Sequence, residues 1–246
     1  TILALGGASW CRLGSDGKWS TILQKYLTSS NTSIIPFSAA NMGLNISWSQ
    51  HMMKYQGLPA KSIAVKVNGE YTKGEFIITR TGVEGGVIYL LSTMQKGKLE
   101  KVEIDLLPDL STSGLCKKLE RNRGKLSKAN FLRRVLGLHG VKFGILREFG
   151  YPFPEKALEF AKVIKNLEVK IKSNCAMDYA ISTKGGIAKD AVNSDLMLND
   201  LSSVFCAGEM LDWTAPTGGG LLTGCFSTGS HAGKSVAKYL NLKLTI

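Results

Sequence analysis

The stretch Ala207-Gly-Glu-Met-Leu-Asp-Trp-Thr-Ala-Pro-Thr-Gly-Gly-Gly220 carries most of the information about the fold of this chain. It follows an apolar run at residues 204–207, which lies between Ser203 and Gly208 and predicts a buried strand. Three consecutive glycines then leave backbone N–H groups uncovered where a helix is expected to begin. Such amides attract phosphate or the electron-rich edge of a ring. The stretch therefore predicts one side of a binding site for a large cofactor.

The helix expected at about residues 221–240 contains Gly224, Gly229 and Gly233. Each glycine inside a helix costs about 1 kcal/mol relative to alanine. Such a cost is tolerated where another element or a ligand approaches the helix backbone closely. Tight packing of this helix against a sheet and close approach of a ligand both remain open as explanations.

Length, composition and cysteine content favour a folded protein of the cytoplasm. The chain has 246 residues, of which 44% are hydrophobic. No apolar run approaches the roughly 18 residues that a membrane span needs, and the first residues lack the features of a signal peptide. The five cysteines form no CxxC pair, which favours reduced thiols. His51, His139 and His231 stand apart without acidic neighbours, so we expect no metal site.

Positive charge is concentrated in one quarter of the chain. The net charge is +12, and residues 111–172 hold 15 of the 31 Lys and Arg but 5 of the 19 acids. A basic helical segment of this kind is usually a solvated surface, although it can also meet a protein partner, nucleic acid or an anionic substrate. We do not expect nucleic acid or a membrane to be the main partner.

The beginning and the end of the chain share a pattern of strand, glycine pair and helix. Residues 2–5 predict a buried strand that ends at Gly6-Gly7, and a polar loop leads to a short helix with Trp19, Ile22, Leu23 and Tyr26 on one side. A second apolar piece, residues 180–187, ends in the glycine pair at 185 and 186. We expect these ends to form one α/β domain.

The middle of the chain differs from its ends. From about residue 34 to 107, alternating segments separated by glycine turns, among them Asn68-Gly69, predict an antiparallel β module. Residues 111–166 predict helices, with Pro152 and Pro154 marking a break. The fold class that follows is α/β with an inserted antiparallel β module, α+β overall.

The chemistry-bearing residues exclude some mechanisms. Neither a Gly-x-Ser-x-Gly nucleophile motif nor a Walker loop occurs at the required spacing. The acids beside glycine are Glu209 and Asp212, which can accept hydrogen bonds from a sugar or ribityl hydroxyl, or equally from the backbone of their own turn. Trp10 and Trp213 can stack on a ligand ring or serve packing alone.

Several motifs in order along the chain resemble one bacterial family. They are Leu5-Gly-Gly-Ala-Ser-Trp, Arg12-Leu-Gly-Ser-Asp-Gly17, Gly74-Glu-Phe-Ile-Ile-Thr, Thr81-Gly-Val-Glu-Gly85, Leu106-Leu-Pro-Asp109, residues 182–187, and the segment from Ala207 through Thr217-Gly-Gly. This set is similar to bacterial NAD(P)/FAD-dependent oxidoreductases, the uncharacterised flavoproteins grouped with aminoacetone oxidase-like enzymes.

The resemblance implies a glutathione-reductase-like FAD-binding domain that is interrupted by a β-barrel-like insert and a small helical subdomain. On this basis residues 1–33 and 173–246 would form the FAD-binding domain, residues 34–110 and about 167–172 the insert, and residues 111–166 the helical subdomain. FAD enzymes of this fold carry the adenosine half on an N-terminal Gly-x-Gly-x-x-Gly turn. This chain contains no such turn. We therefore expect this chain to be a C-terminal portion of the family's domain arrangement. Its ADP-binding part would be incomplete or supplied by a separate N-terminal FAD-binding segment.

The resemblance also implies which residues contact FAD. Gly208 and Glu209 would lie beside the ribityl and pyrophosphate groups, and residues 218–222 under the pyrimidine edge of the ring. Gly220 stands where the family usually has Tyr, so a contact from that Tyr is lost. The full expected set of cofactor-binding residues is Gly6, Gly7, Ser9, Trp10, Arg12, Gly14, Ser15, Gly185, Gly186, Gly208, Glu209, Asp212, Thr217, Gly218, Gly219, Gly220, Leu221 and Leu222.

The function expected from the resemblance is a flavin-dependent oxidoreductase, or the C-terminal part of one, that binds FAD and transfers hydride through flavin N5. Its partners would be a small-molecule substrate, which the sequence does not identify, and NAD(P)H as a candidate electron donor. No side chain is singled out as a catalytic acid or base. The alternative is a non-catalytic binding module that uses the basic segment 111–172 to hold a protein or nucleic-acid partner.

Overall fold

The computed structural model describes residues 1–28, 33–67, 69–94 and 99–241 of a mixed α/β chain. The strands are β1 (Ile2–Leu3), β2 (Ile34–Ala40), β3 (Leu44–Asn45), β4 (Pro59–Val67), β5 (Glu70–Ile78), β6 (Gly82–Glu84), β7 (Lys101–Asp105), β8 (Leu167–Lys170), β9 (Ser173–Asn174), β10 (Ser182–Ile187) and β11 (Phe205–Cys206). The α-helices are α1 (Trp19–Leu23), α2 (Gly86–Met94), α3 (Thr112–Leu119), α4 (Lys128–Leu136), α5 (Gly140–Gly150), α6 (Ala157–Lys165) and α7 (Gly220–Asn241).

The chain forms two compact units. The first consists of Thr1–Met42 and Ala176–Ile246, and the second consists of Gly43–Cys175. Strand β2, which the sequence analysis assigns to the start of the insert, pairs with β10 and belongs to the first unit. No helix in the described ranges combines the length and the apolar character that crossing a bilayer requires.

The first unit is organised around the parallel pair β1 and β11. Ile2 lies opposite Phe205, and Leu3 lies opposite Cys206. Phe205 and Cys206 are buried, which confirms the strand predicted just before Gly208. Helix α7 contacts this pair, with buried Ala232 in the same cluster as Phe205. The long helix expected after the three glycines is also confirmed.

Two expectations for the N-terminal residues are wrong. Ile2 and Leu5 are 43% and 47% exposed, so this segment is not a buried strand. The strand has two residues and one partner, and the described residues do not cover these side chains. In α1 and the turn after it, Trp19 is buried while Ile22 and Tyr26 are 59% and 58% exposed. The five-residue helix is too short to bury a full apolar face.

The second unit contains an antiparallel sheet, as the alternating sequence predicts. Its strand order is β8-β7-β4-β5-β6-β3-β9. In β5, Phe76 and Ile78 point to the core while Glu75 and Ile77 are exposed, which is the expected period of two. The β4–β5 turn expected at Asn68-Gly69 falls partly outside the described residues.

The sheet of the second unit differs from the expected barrel. Among the described residues β8 and β9 each pair with one neighbour, so the sheet stays open rather than closing on itself. Residues 86–94, within the segment expected to be a β module, form helix α2, with Val87, Ile88 and Leu91 buried. A short continuous apolar run does not distinguish a strand from a buried helix, which is why the sequence pattern missed it.

The helices expected at residues 111–166 are confirmed as α3 to α6. Ser111 caps α3 because its Oγ accepts the Gly114 N–H at 3.1 Å, and Ser127 caps α4 through the Asn130 N–H at 3.2 Å. Gly137 ends α4 in a left-handed conformation. The buried faces of these helices join the core of the sheet through Leu115, Leu132, Ile145 and Ile164.

Candidate cofactor site

Three segments of the first unit meet at Gly7. A Cβ placed on Gly7 would lie 2.7 Å from Thr183 Oγ1 and 3.0 Å from Glu209 Cδ, so only glycine fits there. Thr183 Oγ1 accepts the Ala8 N–H at 3.0 Å, and the Thr183 N–H donates to Glu209 Oε1 at 2.9 Å. The turn after β1, strand β10 and the turn after β11 are thereby held together.

Asp212 fastens the same turn to the glycine pair of β10. Its Oδ1 accepts the Gly185 N–H at 3.0 Å, and its own N–H donates to Ile187 O at 2.7 Å. Gly185 and Gly186 have φ values of +99° and +111°, and a Cβ on Gly186 would lie 2.3 Å from Met210 O. The close approach of two backbones requires glycine at these positions.

The beginning of the turn after β11 is tied to α7. The Gly208 N–H donates to Thr228 Oγ1 at 3.0 Å, and Trp213 Nε1–H donates to Gly208 O at 3.0 Å. A Cβ placed on Gly224 would lie 2.3 Å from the Trp213 ring. Trp213 and Gly224 therefore pack against each other, which explains one of the three glycines in this helix. Gly229 and Gly233 face open space.

One thiol borders this turn from α7. Burial raises the pKa of the Cys225 thiol, and the negative charge of Glu209 raises it further. Cys225 therefore remains a neutral thiol beside Gly208 at ordinary pH. A neutral thiol neither acts as a nucleophile nor repels an anionic ligand.

The three glycines at the start of α7 are exposed, and the two that precede the helix lie in an unusual backbone conformation. Gly218 and Gly219 have φ values of +107° and +96°, and nothing lies within 4 Å of a Cβ placed on either residue. In the part of the chain that the structure describes, the amides of residues 218–222 donate to no partner, as is normal for the first turn of a helix. The start of α7 thus offers several N–H donors and a positive helix-dipole end.

The loop after β1 carries the remaining expected residues. Trp19 Nε1–H donates to Gly6 O at 3.0 Å, and Ser9 is buried. Trp10 has a φ of 60°, which is rare for a bulky residue and costs of order 1–3 kcal/mol. The Arg12 guanidinium lies over the Trp10 ring at 5.1 Å from its centroid.

The structure brings some of the expected residues together and leaves others apart. Gly7 and Glu209 meet around Thr183, and Gly185 and Asp212 are hydrogen-bonded. Gly186 packs against Met210 in the same cluster, and Gly208 precedes Glu209 there, whereas other expected glycines lie apart. Gly14, Gly218 and Gly219 face open space, while the nearest neighbour of Gly220 is Ala215. Thr217 and Leu222 are exposed, and Leu221 is partly so.

Sequence reasoning missed three side chains that build this site. They are Thr183 and Thr228, described above, and Asn41, whose Nδ2 donates to Ser182 Oγ at 2.7 Å and to Ala215 O at 2.9 Å. Asn41 has a φ of 50°, a conformation that Asn tolerates better than most residues. The position of Thr183 two residues before a glycine pair was the one available signal. The other two depend on long-range contacts.

Comparison with known proteins identifies the family. The family model described as the HI0933-like protein Rossmann domain matches residues 1–235. The chain belongs to this family. A parallel pair of strands followed by a glycine-initiated helix, as in β1, β11 and α7, suits a Rossmann-type domain.

One curated relative extends the comparison to an enzyme. It is a 3-dehydro-bile acid delta(4,6)-reductase from Clostridium scindens, 24% identical to this chain. The alignment covers 96% of this chain and 62% of the relative, so the chain spans less than two thirds of the relative's length. The HI0933-like family match and this relative together support an NAD(P)/FAD oxidoreductase family, as the sequence motifs predict.

Proposed function

We propose that this chain supplies the flavin-ring end of an FAD-dependent oxidoreductase that acts on a small organic molecule. The observation that carries the proposal is the row of amides at residues 218–222, which have no hydrogen-bond partner among the described residues and lie at the start of a helix of 22 residues. This arrangement fits the electron-rich N1 and O2 edge of a flavin, because amides and the helix dipole stabilise negative charge there.

The residues that we propose to hold FAD are the set expected from the sequence. Gly218, Gly219 and Gly220 would lie under the ring edge, while Gly6, Gly7 and the loop from Ser9 to Ser15 would lie over it. Glu209 and Asp212 each use one carboxylate oxygen to bind an amide of β10. In the described part of the chain their second oxygens have no hydrogen-bond partner, and we propose that they accept hydrogen bonds from the hydroxyl groups of a ribityl chain.

The domain plan is part of the same proposal. The first compact unit would be the glutathione-reductase-like FAD-binding part, and the open sheet with helices α2 to α6 would be the insert and helical subdomain. The orientation of β10 and of the turn after β11 is fixed by Thr183, Glu209 and Asp212. The protein's contribution is therefore positioning and electrostatics.

The chemistry that a bound flavin supplies is acceptance of a hydride at N5 and delivery of the electrons to a second substrate. NAD(P)H is a candidate hydride donor. The relative is named as a reductase of a 3-dehydro-bile acid. By that precedent we propose an unsaturated or carbonyl-bearing organic molecule as the electron acceptor.

The test compares Gly219→Val with Gly229→Val in titrations that follow quenching of FAD fluorescence. Valine at 219 is strained at a φ of +96° and shields the amides at the start of α7. Gly229 lies in the same helix and faces open space, so it is the matched control.

We expect Gly219→Val to weaken FAD binding at least about tenfold, or about 1.4 kcal/mol, while Gly229→Val binds like the wild type. Circular dichroism establishes that both variants fold. Equal FAD affinity in the wild type and the folded Gly219→Val variant would refute the proposed role of these amides.

A further inference from the structure

A cavity in the second unit has the character of a ligand site and is independent of the flavin proposal. Its volume is about 350 Å³, within the usual size range of small-molecule pockets. The apolar part of its wall comes from Leu119, Phe131 and Phe160, of which the two phenylalanines are buried. The cavity lies between the end of α3, the start of α4 and the start of α6.

Three cations line the same cavity. They are Arg121 and Arg123 from the connection between α3 and α4, and Lys128 from the first turn of α4. Within the described residues none of them forms an ion pair. The one acid in the lining, Glu155, forms no ion pair there either. The cavity therefore has a local excess of two positive charges.

Lys128 is held in place without having its charge neutralised. Its Nζ lies 5.1 Å from the centroid of the Phe160 ring and 5.4 Å from that of Phe153, and it donates to Pro154 O at 3.5 Å. The two rings are stacked with centroids 5.2 Å apart. Aromatic faces and a carbonyl oxygen orient an ammonium group but leave its net charge for an anionic ligand.

We propose that this cavity binds a small amphipathic molecule, with an apolar body against Leu119, Phe131 and Phe160 and one anionic group at Arg121, Arg123 and Lys128. An apolar wall beside unpaired cations matches both parts of such a ligand. A long polyanion such as nucleic acid would instead use the whole basic surface of α3 and α4, including Arg133 and Arg134.

The experiment uses two fluorescent probes with similar apolar bodies. Anilinonaphthalene sulfonate carries an anionic group, and N-phenylnaphthylamine carries none. Both are titrated against the wild type, against Arg121→Gln/Arg123→Gln, and against Arg133→Gln/Arg134→Gln as the matched control. The control removes the same charge from exposed positions of α4 that do not line the cavity.

We expect Arg121→Gln/Arg123→Gln to raise the Kd of the sulfonate roughly three- to tenfold and to leave binding of the neutral probe unchanged. The control should bind both probes like the wild type. Glu155→Gln should act in the opposite direction and tighten sulfonate binding, because it removes the one negative charge of the lining.

Three results would overturn the proposal. The first is sulfonate affinity that is unchanged in Arg121→Gln/Arg123→Gln. The second is an equal loss in Arg133→Gln/Arg134→Gln, which would assign binding to the whole basic surface. The third is weaker sulfonate binding in Glu155→Gln. None of these results depends on whether the first unit binds a flavin.

Discussion

Thr183 joins the segments of the candidate site through one hydroxyl and one amide. Thr183→Val removes the acceptor of the Ala8 N–H, and both residues are buried. A buried donor left unpaired costs about 1–3 kcal/mol, so we expect the free energy of unfolding to fall by that amount in urea denaturation. Thr183→Ser keeps the oxygen and should remain closer to the wild type. Equal losses in both variants would show that the hydroxyl is not responsible.

Cys206 makes stability depend on pH in the alkaline range. Burial raises the pKa of the Cys206 thiol from 9.0 to about 12. The unfolded chain therefore releases this proton first, so the contribution is fully present below pH 9 and is lost as the pH rises toward 12. Between pH 8 and pH 10 we expect a loss of about 1.4 kcal/mol.

The measurement for Cys206 is urea unfolding at pH 8 and pH 10 in the wild type and in Cys206→Ala. The alanine variant is less stable at both values, but its change with pH should be smaller by about 1.4 kcal/mol. Parallel pH dependence in the two proteins would contradict the assignment to this thiol.

At the scale of single residues, the sequence did not reveal which groups hydrogen-bond to one another. Gly7, Gly185 and Gly186 were expected to contact FAD, and the structure adds that a Cβ on each would collide with a neighbour in the protein. Glu209 and Asp212 were expected to bind a ligand or their own turn. One carboxylate oxygen of each accepts an amide N–H of β10, because the fold brings residues that are distant in sequence within reach of short side chains. Their contact with a ligand stays a prediction.

At the scale of elements, helix α7 contains two glycines with opposite expected effects. Alanine at 224 would place a Cβ 2.3 Å from the Trp213 ring, whose indole is fixed by its bond to Gly208 O. Alanine at 229 meets open space. The helix propensity of alanine favours both substitutions by about 1 kcal/mol, but overpacking costs typically 1–3 kcal/mol.

We therefore expect Gly229→Ala to stabilise the protein by about 1 kcal/mol and Gly224→Ala to destabilise it. Thermal unfolding followed by circular dichroism measures both changes against the wild type. A stabilising effect of Gly224→Ala would contradict the packing of Trp213 on this helix.

Elements with a clear period were predictable, and those without were not. The helical character of residues 111–166 predicted α3 to α6, and alternation predicted β5. Helix α2 has neither signal, since its apolar run reads equally as a strand. The openness of the sheet depends on which strands pair at its ends, and no local pattern specifies that.

At the scale of the whole molecule, the chain combines a Rossmann-type unit with a separate sheet and helix unit. The family match at residues 1–235 and the reductase relative support an NAD(P)/FAD oxidoreductase family. The amides at the start of α7 make a flavin the cofactor that we propose. The cavity of the second unit adds a site of different chemistry, with excess positive charge beside an apolar wall.

The most direct test of this account is equilibrium dialysis of the purified chain against FAD, read by visible absorption. Dialysis at equilibrium detects weak as well as tight binding, so it does not require the cofactor to survive purification. The account predicts a flavin band on the protein side that exceeds the dialysate and saturates at one FAD per chain. Equal absorption on both sides at every FAD concentration would contradict it.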